Sequence, residues 1–69
     1  MTAEDAFRIA RTDAERVYRD LSGLEARVAL CPDGWHVDYE LKDPRHNGGG
    51  PHYVIDANTG AILSKRYEQ

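Results

Sequence analysis

The sequence has one cysteine, Cys31, so no disulfide can close within the chain. Its stability must come from apolar burial. A chain of 69 residues buries roughly 60% of the surface it would expose unfolded, enough for one marginal domain and no more. A lone thiol also fits a reducing compartment. No apolar run approaches the roughly 20 residues of a membrane span. The first residues, Thr2-Ala3-Glu4-Asp5, are acidic, unlike the basic start of a signal peptide. Together these features predict cytoplasmic residence. There is no basic excess either: nine Lys and Arg stand against twelve Asp and Glu, a net charge of −3. Nucleic-acid domains usually carry the opposite balance, so no nucleic-acid partner is expected.

What the sequence does have is ordered punctuation. Thr2 is a good N-cap, with Asp5 at the third helical position in a variant of the capping box. Ala6, Phe7, Ala10, Ala14, Val17, Tyr18 and Leu21 recur at spacings of three and four, which predicts an amphipathic helix from residue 3 to about 20. Ser22-Gly23 stops it, with Gly23 free to take the left-handed conformation. From Leu24 the period drops to two. Leu24, Ala26, Val28 and Leu30 alternate with more polar residues as far as Cys31, Pro32-Asp33-Gly34 turns the chain, and Trp35, Val37, Tyr39 and Leu41 alternate again, which predicts a hairpin. Residues 43–51 hold the breakers and no apolar residue, and are expected to form a loop. Further strands are predicted near His52–Ala57 and Ala61–Tyr67. The turn between them is set by the Asp56 carboxylate, which can accept from amides two and three residues on, and by Gly60 at positive φ.

The expected fold is therefore α+β, one domain over residues 1–69, with a long N-terminal helix on a four-stranded antiparallel meander (αββββ, cystatin-like). The predicted inward set is Trp35, Val37, Tyr39, Leu41, Tyr53, Ile55 and Leu63 with the helix stripe. One helix covers one sheet face, so the other is expected to stay open, and a single helix is not expected to close a pocket of ligand size, roughly 300 Å³.

Catalytic patterns are missing. His36, His46 and His52 offer no His-x-x-x-His spacing and Cys31 no Cys-x-x-Cys, so neither a metal site nor a cofactor is expected. Gly48-Gly49-Gly50 is followed by Pro51 rather than by the Lys-Ser or Lys-Thr and helix of a phosphate cradle. Asp38 and Glu40 share a strand face beside Arg27 and Lys42, which reads as cross-strand ion pairing rather than acid–base chemistry. The chain is expected to bind rather than catalyse.

The second half carries a resemblance. Gly34-Trp35-His36-Val37, then Gly48-Gly49-Gly50-Pro51, then Tyr53 to Leu63 and the ending Tyr67-Glu68-Gln69 resemble small bacterial immunity proteins of the nuclear-transport-factor-2-like fold. The opening Thr2-Ala3-Glu4-Asp5-Ala6 is similar to theirs. A wider likeness is to PepSY domains, through the alanine-rich helix and the Asp56-Ala57-Asn58-Thr59-Gly60 ending. The resemblance implies a cystatin-like fold and inhibition of another protein, a toxin or a peptidase. It supplies no catalytic residue. The expected partner-binding residues are His36, Asp38, Glu40 and Lys42 on the open face, with Asp43, Arg45, His46 and Asn47 in the loop. A net acidic surface would suit a basic partner. A weak homodimer through the open face or an edge strand is the alternative.

Overall fold

The computed structural model describes residues 1–42 and 49–67. The helix α1 spans Ala3–Val17, and four strands follow: β1 Leu24–Cys31, β2 Gly34–Leu41, β3 Gly49–Ile55 and β4 Ile62–Arg66. They form one antiparallel sheet in sequential order, a meander with β1 and β4 at its edges. The predicted αββββ architecture is the observed one.

The helix starts as its cap requires. The Thr2 amide donates to Asp5 Oδ2 at 2.9 Å and the Asp5 amide donates back to Thr2 Oγ1 at 3.3 Å. Its end comes earlier than the period predicts. Tyr18 is already extended, with its amide closing the last turn on the Ala14 carbonyl. Its ring meets Tyr67 edge-on at 6.1 Å, a contact with the far end of the chain that helical spacing cannot announce. Gly23 keeps an ordinary φ, since among the described residues only Gly34 and Gly60 are positive; the connection is shaped instead by Asp20, whose carboxylate accepts the Ser22 amide at 2.8 Å.

Under the helix sit Ala6, Ala10 and Ala14, all fully buried, against Val37, Tyr39, Tyr53 and Ile55. Three alanines in a row let the helix lie close to the large sheet residues. At about 25 cal/mol per Å² of apolar area removed from water, each of those large side chains contributes roughly 1.5–3 kcal/mol. Trp35 is half-buried against this core; Leu41, predicted inward, is half-buried but not packed on it, and Val17 is 49% exposed, outside the stripe assigned to it.

Two bulges explain the remaining departures. Asp38 pairs with His52 but Glu40 with Gly49, so Gly50 and Pro51 together oppose Tyr39. This draws the glycine run into β3, which begins at Gly49 rather than near His52. A bulge is also where a strand tolerates proline. In β4, Ile55 pairs with Ile62 and Val54 with Ser64, leaving Leu63 as the extra residue. Ile62 therefore packs on the core, and Leu63, predicted inward, is 57% exposed.

The turns follow the sequence reading. The Asp56 carboxylate accepts from the Asn58 and Thr59 amides at 2.8 and 2.9 Å, and those bonds hold its carboxyl below the usual range. Gly34 has φ +134°, and a Cβ there would lie 2.4 Å from the Ile55 carbonyl oxygen, so only glycine fits.

Candidate functional site

The two faces of the sheet differ in kind. On the covered face one polar group stands out: Asp13, 5% exposed within the helix stripe. Its carboxylate accepts from the Tyr53 hydroxyl at 2.9 Å, the Tyr67 hydroxyl at 2.5 Å and Lys65 Nζ at 3.4 Å, and pairs with the Arg16 guanidinium. Burial pushes this carboxyl up, but the hydrogen bonds from Tyr67, Arg16, Tyr53 and Lys65 outweigh it and hold it well below the usual range. The Tyr53 hydroxyl is driven far above its ordinary value by burial and then by its bond to Asp13. The arrangement ties helix, β3 and the chain beyond β4 together. It is a clasp, fully partnered and closed to a substrate. Its signal was available: Asp13 lies seven residues from Ala6 and three from Ala10, in phase with the apolar stripe.

The outer face is built by the alternate residues of the same strands. Register carries Arg27 opposite Asp38, Asp38 opposite His52, and His52 opposite Arg66. The result is a polar row running across all four strands. His52 Nδ1 and Asp38 Oδ1 are 2.8 Å apart, and Arg27 Nε lies 3.4 Å from Glu40 Oε2, where it tempers the like charges of Glu25 and Glu40 paired directly opposite. Beside this row runs a second one of Ala29, His36, Val54 and Ser64. Between the two rows lies a shallow depression of about 270 Å³, lined by His36, Asp38, His52, Val54, Ser64 and Arg66.

Of the expected contact residues, His36, Asp38 and Glu40 stand together on this face; Lys42 follows β2, exposed, with its amide bonded to the Gly23 carbonyl. Asp43, Arg45, His46 and Asn47 lie outside the described residues. His52, Ser64 and Arg66 join the face through the cross-strand register. With Arg66 included, three carboxylates (Glu25, Asp38, Glu40) meet three cations (Arg27, Lys42, Arg66). Asp33, at the hairpin end of this face, is a fourth carboxylate, so among the described residues the face is mixed in sign with a slight acidic excess.

A larger depression is an open groove, not an enclosed chamber. It measures about 510 Å³ and opens where the chain leaves the helix, between Phe7, Arg11, Tyr18, Arg19, Leu24 and Tyr39. The Tyr39 hydroxyl nearby is buried without a hydrogen-bond partner among the described residues. Burial raises its pKa. The hydroxyl is sealed from solvent, so a ligand in the groove does not reach it without rearrangement.

At the hairpin end of the outer face, Cys31, Asp33 and His36 bring their donor atoms within 4.8 Å of one another. His36 Nε2 lies 2.7 Å from Asp33 Oδ1, and this bond lowers the Asp33 pKa.

Comparison with known proteins adds no relative. No family model matches the chain, and neither a curated protein nor a solved structure does. No helix among the described residues is long and apolar enough to cross a membrane.

Proposed function

We propose that this chain is a protein-binding module that inhibits its partner by covering it, using the outer face of the sheet. The observation that carries this reading is the open face itself. All four strands display polar side chains there, and among the described residues no second layer packs on them. The sharpest form is the one its motifs resemble, a small immunity protein that occludes a toxin; a PepSY-type peptidase inhibitor is the same physics with another target.

Size sets a condition. Four strands at about 4.8 Å spacing and roughly 20 Å of length offer on the order of 400 Å², half of the about 800 Å² per partner of a standard interface. Tight binding therefore needs the rim as well as the face, and the hairpin end at Cys31–Gly34 is one such extension. The net charge of −3 favours encounter with a basic partner, while the mixed charges of the face fix the register of docking.

Edge strand β1 supports a second reading. It runs eight residues with proline only after its end, and Leu30 near that end is 61% exposed. Such an edge can pair with a second copy. Mass in solution separates the readings: a monomer that binds a partner supports occlusion, and a dimer lost on Val28→Pro supports self-pairing.

The direct test is titration into candidate basic toxins and peptidases with their activity as readout. Partner activity should fall to background at stoichiometric amounts, and Asp38→Arg should weaken inhibition by at least about 30-fold, some 2 kcal/mol, as reversal of an interfacial charge does. Undiminished partner activity at saturating excess overturns the reading.

A further inference from the structure

We propose that the hairpin corner formed by Cys31, Asp33 and His36 binds a borderline divalent transition-metal ion, Zn²⁺ foremost. The inference stands apart from the docking reading and needs no partner. Its basis is convergence that linear spacing conceals. Cys31 ends β1 on the outer face, and its cross-strand partner is Gly34, which has no side chain. His36, two residues further along β2, lies on the same face. The thiol and the imidazole thus face each other across the gap left by glycine, and the two-residue turn brings Asp33 alongside. The three donor atoms lie within 4.8 Å of one another.

A tetrahedral zinc ion with bonds of about 2.3 Å to sulfur and 2.0–2.1 Å to nitrogen and oxygen holds its donors roughly 3.4–3.6 Å apart. Drawing the widest-set donors together takes about 1 Å, while His36 Nε2 and Asp33 Oδ1, now 2.7 Å apart, open by somewhat less. Asp33, with 64% of its side chain exposed, is free to turn by that much. The backbone beneath resists distortion, since Gly34 is pressed against the Ile55 carbonyl.

The donor set selects the metal. Thiolate and imidazole suit zinc, cobalt and copper, whereas magnesium and calcium prefer oxygen alone. Three protein donors leave a fourth position to water, the arrangement of an open site. Binding replaces protons: the Cys31 thiol releases one, and the His36 nitrogen that coordinates must be in its neutral form. With both groups as ligands, the metal takes the place of the proton in the Asp33–His36 bond, so binding exchanges that bond for two coordination bonds.

Titration of the full chain with Co²⁺, followed by Zn²⁺ competition, tests the site. Cobalt bound at this corner shows a sulfur-to-cobalt charge-transfer band at one equivalent, and zinc abolishes it. Cys31→Ser removes the band. His36→Gln weakens affinity by more than the roughly 10- to 100-fold that loss of an outer-shell partner costs, and Asp33→Asn weakens it less. All three variants should keep the native far-ultraviolet spectrum, so loss of binding is not loss of fold. A missing sulfur band, or an affinity unchanged by Cys31→Ser and His36→Gln, overturns the proposal. So does an affinity that falls instead with His46→Gln or His52→Gln.

Discussion

Ile55 and Val54 are neighbours on one strand, yet they belong to different physical worlds. Ile55 is fully buried beneath the alanine stripe of the helix, while Val54 lines a shallow depression on the outer face. The same holds for carboxylates. Asp13, on the covered side, has both oxygens engaged and helps hold three elements together; Asp38, on the outer side, is half-exposed and bonds His52 across the strand. What differs is the solvent each group was taken from. A buried polar group must be matched inside the protein, whereas an exposed one exchanges its partner for water at little cost. One side of the sheet holds the fold, and the other is left free for contact.

Truncating the adjacent pair gives the largest contrast. Ile55→Ala should lower unfolding free energy by about 2–5 kcal/mol, and Val54→Ala by about 1 kcal/mol or less. Denaturant midpoints check both. For a domain of this size the total is only about 3–10 kcal/mol at 0.05–0.15 kcal/mol per residue, so the first variant approaches unfolding.

Next come the carboxylates. Asp13→Asn leaves the Tyr53 hydroxyl without its charged acceptor and should cost about 1–3 kcal/mol. Asp38→Asn should cost less than about 0.5 kcal/mol.

Titration sharpens the contrast further. The folded-state pKa of Asp13 is depressed, so its contribution is complete above the unfolded value of about 4 and fades as pH falls below it. Tyr53 is shifted the other way. Its contribution is complete below about 10 and fades as pH rises above that value. Unfolding curves across pH should therefore slope down at both ends, and Asp13→Asn should flatten the acid limb.

The smallest effect is expected at the helix start. Thr2→Ala removes the acceptor of the Asp5 amide and should lower stability by about 0.5–1 kcal/mol. Thermal melting resolves it.

These contrasts also mark where sequence reading stops. The capping box of Thr2 and Asp5, the Asp56 turn and the alternation of β1 and β2 are local, so they were legible. The helix end at Val17 was not, because Tyr18 leaves the helix for a ring nearly fifty residues away. Leu63 changed places with Ile62 because an extra residue shifts the parity of a strand, and hydrophobicity alone does not reveal it. Asp13 shared the period of the core, but its charge hid it. His36, Asp38 and Glu40 were correctly placed on the open face because their parity is opposite to that of Trp35, Val37 and Tyr39. His52 and Arg66 joined them only through cross-strand register. The corner of Cys31, Asp33 and His36 likewise exists only once the hairpin has closed.

The central claim, a fold held from one side of the sheet alone, is tested most directly by stripping the polar row. A single chain carrying Arg27→Ala, Asp38→Ala, His52→Ala and Arg66→Ala, unfolded in urea, should lie within about 1 kcal/mol of the parent, as exposed pairs contribute little. A loss of about 3 kcal/mol or more, at or beyond the top of the range expected for Asp13→Asn, would show that the outer row holds the fold as well and would contradict the account.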